Sequence, residues 1–385
     1  MSRLASQAAR LTIDLGALAD NWLKLNALNA PGLAGAVIKA DAYGLGIEKA
    51  APALHKAGCR SFFVAHLSEG IRARAALPDG EIFVLNGLAA GDLAAYRAHR
   101  LAPVLGTMSE ITAWKAYRDE EPEAERAALH VDTGMNRLGL RPEAFRDLLA
   151  AGEIPWDDLS LVMSHFVSSE VPDDMMTARQ IGVFGELATL IQEARTSIPK
   201  LSTSNQPLRL SLCNSSGHFT AAAGRYPLSR PGYALYGGNP TPGRKNPMRA
   251  VVRLEAPVIQ ITPVPAGETV GYNSNFRATR DSLIATLSCG YADGYPRNAG
   301  AKPDRAGGYA IIAGRECPFA GNVSMDLITV DITRLPRGSV KIGDFATLIG
   351  DGLDIDRVGE AARTIGYEIL TNLGRRYERV YVDQA

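Results

Sequence analysis

In the segment GAVIKA at residues 35–40, a lysine follows three apolar residues, and the chain continues as DAYGLG. The chain holds nine lysines against 32 arginines, so a lysine directly after Ala36, Val37 and Ile38 departs from its general preference. Arginine stays protonated in proteins, whereas a partly buried lysine can lose its proton and attack an aldehyde carbon. Lys39 is therefore the first candidate for chemistry. The alternative is a lysine whose stem covers apolar surface at a strand end.

Seven further apolar runs resemble the first, and polar residues stand at the ends of most of them. The eight runs lie at residues 35–40, 61–66, 81–86, 101–106, 128–132, 161–166, 208–214 and, less distinctly, 228–236. The polar residues at their ends are Lys39, His66, Asn86, Asp132, His165, Asn214 with Ser215, and Arg230. Each alone could simply begin a loop. Together they predict a site, provided that the fold brings the strand ends to one place.

The spacing of the runs predicts such a fold. Helical periodicity fills most of the intervals, as in residues 47–58 and 175–194, and strand and helix alternating over about 230 residues favour a (β/α)₈ TIM-type barrel. Active sites of these barrels lie at the carboxyl ends of the strands. The polar stretch at 196–207 is predicted to be a long loop. An open doubly wound sheet is the competing architecture, but no G-x-G-x-x-G pattern follows the first strand.

A second, mainly β domain is predicted after Gly238. The Pro- and Gly-rich stretch NPTPGRKNP at 239–247 is typical of a linker, and strand-like runs follow it with a single predicted helix near residues 356–365. The early run LTIDL at 11–15 has no slot in the barrel and is expected to pair with the second domain. We therefore predict a barrel domain at 11–240 and a C-terminal mainly β domain at 241–385, together with residues 1–15.

Composition excludes several classes of protein. Hydrophobic residues make up 46% and charged residues 21% of the 385 residues, the formal net charge is zero and no basic block occurs, so neither a nucleic-acid nor a membrane partner is expected. The four cysteines are scattered without a C-x-x-C pair, so neither a disulfide framework nor a metal site is predicted. The first ten residues lack the apolar core of a secretory signal, which predicts a cytoplasmic protein with a small-molecule ligand.

Eight segments of the chain carry a family resemblance: AVIKADAYGLG (36–46), VDTGMNRLGL (131–140), MSHF (163–166), CNSS (213–216), SRPGYALYG (229–237), VGYNSNF (270–276), GYADGYPR (290–297) and NVSMD (322–326). Together they resemble the corresponding segments of alanine racemases. The similarity runs in order along nearly the whole chain. It implies a barrel that binds pyridoxal 5′-phosphate, a C-terminal β domain and a head-to-tail homodimer with shared active sites.

The resemblance implies a role for each matching cofactor residue. Lys39 would hold pyridoxal phosphate as a Schiff base and exchange a proton on one face of the substrate. Arg230 would hydrogen-bond the pyridine nitrogen and, being unable to supply a proton readily, would favour racemisation over transamination. His165 would lie against the cofactor ring. The residues near the phosphate would be Tyr43, Asn214, Ser215, Gly232, Tyr233 and Tyr367, although sequence alone would make Tyr367 an ordinary strand or turn residue.

The second base and the substrate residues are also implied by the resemblance. Tyr272 of the partner subunit would serve the opposite face of the α-carbon, although by itself its sequence context predicts only a hairpin residue. Arg137 and Met325 would meet the substrate carboxylate, and Tyr291 would form a gate at the substrate entrance. A methionine between strands more commonly fills a gap in the core.

His130 departs from the family pattern. Many family members carry a carbamylated lysine directly before V-D-T-G, and its negative charge orients the arginine that follows. Histidine cannot form that stable carbamate. Arg137 must then be held by another anion, such as chloride, or by a water network.

The sequence thus predicts a pyridoxal phosphate dependent enzyme that interconverts L- and D-alanine by a lysine and tyrosine two-base mechanism and supplies D-alanine for peptidoglycan. One alternative is an amino-acid decarboxylase with the same type of barrel, but such enzymes place a carboxylate at the ring nitrogen, where this chain has Arg230. The other is a non-catalytic pyridoxal phosphate carrier. Carriers of that kind resemble a lone barrel without the β domain.

Overall fold

The computed structural model describes residues 8–89, 91–197 and 207–383, and a closed ring of parallel strands forms its larger part. The ring strands are β2 (Leu33–Ala34), β3 (Ala36–Val37), β4 (Ser61–Val64), β5 (Glu81–Val84), β6 (Ala102–Leu105), β7 (Ala127–His130), β8 (Leu159–Met163), β9 (Arg209–Ser211) and β10 (Leu228–Ser229). Strands β3 to β9 pair in sequence order, and β10 pairs in parallel with β2. The ring closes because Arg230 N donates to Cys213 O and Gly35 N to Ser229 O, both at 2.8 Å.

Helices follow the strands and cover the outside of the ring. They are α1 (Leu15–Leu28), α3 (Ile47–Ala57), α4 (Leu67–Ala76), α5 (Leu93–Ala98), α6 (Met108–Glu120), α7 (Pro142–Ala151) and α8 (Met175–Ser197). The short segment α2 (Lys39–Tyr43), between β3 and α3, has a mostly left-handed backbone and is not one of the covering helices. Sequence signals mark several of their ends. Asp14 accepts from Ala17 N at the start of α1, and Thr107 accepts from Glu110 N at the start of α6. Gly58 ends α3 in the left-handed conformation, with φ of 118°.

The core lies inside the ring and between the ring and its helices. All four residues of β4 are buried, as a strand covered on both faces must be, and the Phe63 and Phe83 rings stack 5.0 Å apart inside the barrel. Helix α3 buries Ile47, Ala50 and Leu54, which share one face at helical spacing. This rigid packing supports the loops that follow each strand.

The C-terminal part is a mainly β domain. Its strands are β11 (Val252–Val264), β12 (Thr269–Val270), β13 (Phe276–Arg277), β14 (Ser282–Leu287), β15 (Tyr309–Ile312), β16 (Arg315–Pro318), β17 (Ile328–Asp331), β18 (Phe345–Ile349) and β19 (Glu378–Val382). The N-terminal strand β1 (Arg10–Asp14) joins this sheet, antiparallel to β11 and parallel to β19. The predicted pairing of LTIDL with the second domain is therefore observed.

The predicted barrel with a C-terminal mainly β domain is confirmed, but the helix content of that domain was predicted incompletely. The helix expected near 356–365 is α9 (Ile355–Ala361), and a second helix, α10 (Gly366–Thr371), follows it. The prediction that Tyr367 is a strand or turn residue is wrong. A six-residue helix that starts at glycine has little intrinsic helix propensity, so packing against α9 must stabilise it.

Two predictions concern regions that the structure covers only in part. The loop predicted at 196–207 lies mostly outside the described residues, and so do the first seven of residues 1–15. The boundary between residues 240 and 241 stays a prediction. Within the described ranges, no helix combines the length and apolar character needed to cross a bilayer.

Candidate active site

A cavity of about 530 Å³ opens at the carboxyl ends of the barrel strands. Ligand-binding pockets typically have volumes of a few hundred to a thousand Å³. Ten of the predicted site residues line this cavity: Lys39, Tyr43, Arg137, His165, Asn214, Ser215, Arg230, Gly232, Tyr233 and Tyr367. They come from five of the strand ends and from α10, so closure of the barrel and docking of the β domain bring them together.

Lys39 is presented by a left-handed turn. Ala40, Asp41, Ala42 and Tyr43 have φ values of 53°, 57°, 53° and 54°, and Gly44 continues the turn at 82°. The left-handed conformation costs roughly 1–2 kcal/mol for each residue that carries a Cβ. Four such residues in a row therefore require strong support from the surrounding structure.

Glu69 supplies part of that support. Its carboxylate accepts from Ala40 N at 2.6 Å through one oxygen and from Ala65 N at 2.8 Å through the other. The side chain thereby ties the turn that follows the first strand to the end of the second strand. Sequence reasoning missed this residue, because a glutamate in the first turn of α4 is ordinary in itself.

The β domain holds the other end of the turn. Arg379 donates to Gly44 O and the Tyr381 hydroxyl to Leu45 O, each at 2.8 Å. Gly44 must be glycine here, since a Cβ would lie 2.3 Å from Leu370 O of α10. Both halves of the chain therefore fix the path that leads away from Lys39.

Burial and charge both change the proton affinity of Lys39. Burial lowers the pKa of its amine below the usual value, the nearby Arg137 guanidinium lowers it further, and Glu69 opposes both effects. A neutral amine, the form that can attack a carbonyl or accept a proton, is thus more accessible than for a lysine in water.

Arg230 is fully buried at the bottom of the cavity. Its guanidinium donates to the Ser211 hydroxyl and the Ser164 carbonyl and lies 6.0 Å from the centre of the Phe63 ring. Burial lowers the pKa of this guanidinium to about 10, so it remains charged at neutral pH. No ion pair with a carboxylate occurs for it in the described part of the chain. A buried cation with only neutral partners favours a further acceptor from a ligand.

Two histidines beside Arg230 remain neutral. Burial lowers the pKa of His130 to about 4, and the Arg230 charge adds to the effect. The pKa of His165 is lowered well below its usual value by burial first and then by Arg230 and Arg137. Their neutral rings can therefore contact a ligand without adding charge to the cavity.

Ser215 and Gly232 form a cradle at one end of the cavity. The Ser215 hydroxyl accepts from Gly232 N at 3.0 Å and from Ala234 N at 3.1 Å, which uses both lone pairs and leaves its proton to donate elsewhere. A Cβ at position 232 would lie 2.4 Å from the Tyr43 hydroxyl, so only glycine fits. Next to this cradle, the Asn214 side chain caps the following turn by accepting from Gly217 N at 2.9 Å.

His218 supports this cradle through two hydrogen bonds. Its Nδ1 lies 2.8 Å from the Asn214 carbonyl, which can only accept, so Nδ1 carries the proton and Nε2 accepts from the Ser229 hydroxyl at 2.8 Å. Burial lowers the pKa of His218 to about 4. The neutral ring therefore links the loop after β9 to the strand that leads into Arg230. Sequence reasoning missed it.

Two tyrosine hydroxyls face the same end of the cavity. Tyr43 stacks on Tyr236 with ring centres 4.6 Å apart, and its ring centre lies 6.2 Å from that of Tyr367. Burial raises the pKa of Tyr43 above its usual value and that of Tyr367 to about 12, so both remain protonated donors. Among the described residues, neither hydroxyl has a protein hydrogen-bond partner.

The residues present fit pyridoxal phosphate. The cavity combines the three basic side chains of Lys39, Arg137 and Arg230 with hydroxyl donors gathered at one end around a glycine that leaves room for a ligand. A phosphate needs several donors in a small space, and a pyridine nitrogen needs one donor at the opposite end. The Ser215 cradle supplies donors for the phosphate, the Arg230 guanidinium supplies a donor for the pyridine nitrogen, and the Lys39 amine can bond to the aldehyde carbon.

Three residues to which the resemblance assigns a role do not line this cavity. Of the other strand-end candidates, Asn86 lines it, whereas His66 and Asp132 do not. Tyr272, Met325 and Tyr291 belong to the β domain, with exposed fractions of 72%, 52% and 39%. Tyr272 lies in the turn between the paired strands β12 and β13, as predicted for a hairpin residue. The alternative that Met325 fills a core gap is wrong, because the side chain is exposed in the loop before β17.

Comparison with known proteins agrees with this geometry. Residues 13–240 match the family model "Alanine racemase, N-terminal domain" and residues 251–381 match "Alanine racemase, C-terminal domain". An alanine racemase of Methylobacterium sp. (strain 4-46) is 52% identical over 385 residues, covering 100% of both chains. A protein of Agrobacterium fabrum named "Alanine racemase, catabolic" is 42% identical over 97% of this chain and 92% of its own length.

Solved structures give the same result. Alanine racemase from Bartonella henselae with covalently bound pyridoxal phosphate superposes with a TM-score of 0.87, at 35% identity over 98% of this chain and 100% of that chain. The biosynthetic alanine racemase of Pseudomonas aeruginosa superposes with a TM-score of 0.85, at 31% identity over 98% and 100% of the two chains. With both family models matched along nearly its full length, this chain belongs to the alanine racemase family.

Proposed function

We propose that this protein interconverts L- and D-alanine with pyridoxal phosphate as its cofactor. The observation that carries the proposal is the cavity in which the Lys39 amine, the Arg230 guanidinium and the Ser215 cradle converge. Arg230 lines the cavity where a decarboxylase with this type of barrel would place a carboxylate, which speaks against the decarboxylase alternative. The β domain packed against the turn after Lys39 speaks against a carrier made of a lone barrel.

The cofactor would be held by residues at both ends of the cavity. Lys39 would bind its aldehyde carbon, Arg230 its ring nitrogen, and the phosphate would meet Ser215, Tyr43 and Tyr367 together with the Gly232 and Tyr233 backbone. Pyridoxal phosphate supplies an electron-withdrawing system that acidifies the α-hydrogen of an attached amino acid. A guanidinium at the nitrogen is a poor proton donor, which limits this effect and favours return of the proton to the α-carbon.

Lys39 would exchange the proton on one face of the α-carbon. Its lowered pKa allows the amine to act as a base at moderate pH, and the left-handed turn fixes the direction from which it approaches. Racemisation also requires a base on the opposite face.

The second base would be Tyr272 from the partner subunit of a homodimer. Tyr272 is exposed by 72% and does not line the cavity of its own chain, which supports a role at a neighbouring copy. A phenol must lose its proton to act as a base, and a nearby cation such as the Arg230 guanidinium would favour the phenolate. Exposed Met325 and Tyr291 would approach the same cavity from the partner.

Arg137 would bind the substrate carboxylate. It is exposed at the rim of the cavity, and neither an ion pair nor a hydrogen bond to another side chain occurs for it within the described ranges. Neutral His130 stands where many relatives have a carbamylated lysine, so another anion, such as chloride, or water would orient Arg137. We further propose a cytoplasmic enzyme whose D-alanine supplies peptidoglycan.

The direct test is the exchange of the α-hydrogen. The protein with pyridoxal phosphate is incubated with L-alanine in deuterium oxide, and D-alanine and its deuterium content are measured. We expect D-alanine labelled at the α-carbon and no carbon dioxide. Release of carbon dioxide would support the decarboxylase, and retained cofactor without turnover would support the carrier.

A further inference from the structure

The side chain of Tyr233 occupies a slot between two glycines, one nearby in the sequence and one in the β domain. A Cβ at Gly238 would lie 2.1 Å from the Tyr233 ring, and a Cβ at Gly366 would lie 1.7 Å from the Tyr233 hydroxyl. Each contact is far shorter than a Cβ tolerates, so both positions require glycine for Tyr233 to fit. One of these glycines belongs to the barrel and the other starts α10 in the β domain.

The hydroxyl of Tyr233 is fixed by the β domain. It donates to Oδ1 of Asp356 at 2.7 Å, and Oδ2 of the same carboxylate accepts from Asn239 N at 2.9 Å. Asp356 lies in the first turn of α9. Through this one carboxylate, two points of the barrel segment after β10 are joined to the helix pair α9 and α10.

The ring of Tyr233 lies flat against Tyr367. The ring centres are 3.8 Å apart and the planes differ by 11°, the closest aromatic stack described in the chain. Tyr233 is 4% exposed, whereas Tyr367 is 41% exposed and borders the cavity. A buried ring, held by its hydrogen bond to Asp356, thus packs against a more exposed ring, whose hydroxyl has no protein partner among the described residues.

We propose that Tyr233 is a positioning residue for the phosphate end of the cavity. It acts through Tyr367, whose hydroxyl it keeps directed at the ligand phosphate, and Asp356 keeps Tyr233 in place. This inference rests on the proposed function, because it assumes that pyridoxal phosphate is the ligand. It assigns a role to the Tyr233 side chain in addition to the one proposed for its backbone.

The test compares pyridoxal phosphate with pyridoxal, which lacks the phosphate. Cofactor is removed from the purified protein, and each compound is titrated back while tryptophan fluorescence is recorded. Tyr233→Leu removes the stack and the clamp, and we expect affinity for pyridoxal phosphate to fall about tenfold while that for pyridoxal changes less than about twofold. Tyr233→Phe, which deletes one oxygen and preserves the filled slot, should give a smaller loss in the same direction.

Tyr377→Phe is the matched control. Its hydroxyl contacts Cys289 within the β domain, away from the cavity, so both affinities should stay at the wild-type values. If the Tyr233 variants lost affinity equally for both compounds, the substitutions would have disturbed the whole cavity, and the inference would be overturned. It would also be overturned if both variants kept the wild-type ratio of the two affinities. A wild-type protein that binds no pyridoxal phosphate would instead overturn the proposed function.

Discussion

At the scale of single residues, the site is defined by neutral bases beside permanent cations. Burial keeps His130, His165 and His218 uncharged, while Arg230 stays charged, because its pKa of about 10 lies well above neutrality. This arrangement gives the cavity a positive potential without placing several mobile protons near the reacting carbon. The same lowered histidine pKa values reduce the free energy of unfolding at acidic pH.

The lowered pKa of His218 predicts how stability depends on pH. The pKa of histidine is about 6.5 in the unfolded chain, whereas burial lowers the pKa of His218 to about 4 in the folded protein. Between these two pH values the unfolded chain binds a proton at His218 and the folded protein does not. The free energy of unfolding must therefore fall as the pH decreases through this window. Between pH 7 and pH 5 we expect His218 to account for about 2 kcal/mol of the loss.

Urea unfolding of the cofactor-free protein measures this effect. His218→Gln retains a donor for Asn214 O and an acceptor for the Ser229 hydroxyl but does not titrate. The variant should lose about 2 kcal/mol less than wild type between the two pH values. Parallel losses in the two proteins would show that His218 is not the group responsible.

At the scale of elements, the left-handed turn after β3 is the most demanding feature. Nothing in A-D-A-Y predicts it, because each of these residues prefers right-handed or extended backbone, and contacts made by Glu69, Arg379 and Tyr381 support the turn. The strand ends could be predicted from periodicity, since each run is local and apolar. The residues that hold the turn could not be predicted, because they are far from it in the sequence. Arg379 and Gly44, for example, are 335 positions apart.

Substitution of Glu69 tests this view of the turn. In Glu69→Gln one carboxylate oxygen becomes an amide nitrogen, which cannot accept from a backbone N–H, so either the Ala40 or the Ala65 amide loses its partner. We expect a loss of about 1–3 kcal/mol in the free energy of unfolding, together with lower racemase activity as Lys39 loses its fixed direction.

Thermal unfolding and kcat for alanine are the two measurements for this variant. Glu186→Gln is the control, because that glutamate makes only an exposed ion pair, 3.3 Å from Arg146 on the barrel surface. Glu69→Gln with unchanged kcat and unchanged Tm would contradict the proposed support of the turn.

At the scale of the whole molecule, three of the predicted site residues lie outside the cavity of one chain. The sequence predicted the two-domain architecture and ten of the residues that line the cavity, because the motifs carrying them are short and local. It could not show that Glu69 and His218 support those residues, because neither stands out in its own stretch of sequence. Tyr272, Met325 and Tyr291 are exposed on the same chain, so the part that we propose for them in catalysis requires a second copy.

A mixed dimer tests this shared arrangement. Lys39→Ala and Tyr272→Phe variants carrying different affinity tags are co-expressed, and the dimer containing one copy of each is isolated. Each variant alone should be nearly inactive. In the mixed dimer, one of the two sites combines an intact Lys39 with an intact Tyr272, so about half of the wild-type activity per dimer is expected. A mixed dimer as inactive as its parents would place both residues in one chain.

The proposed mechanism requires a bond between Lys39 and pyridoxal phosphate. The holoenzyme is reduced with borohydride, digested, and the peptides are analysed by mass spectrometry for a pyridoxyl phosphate adduct. We predict that, of the nine lysines, only Lys39 carries the adduct and that the reduced protein no longer racemises alanine. An adduct on a different lysine, or full racemase activity after Lys39 has been modified, would contradict the central claim.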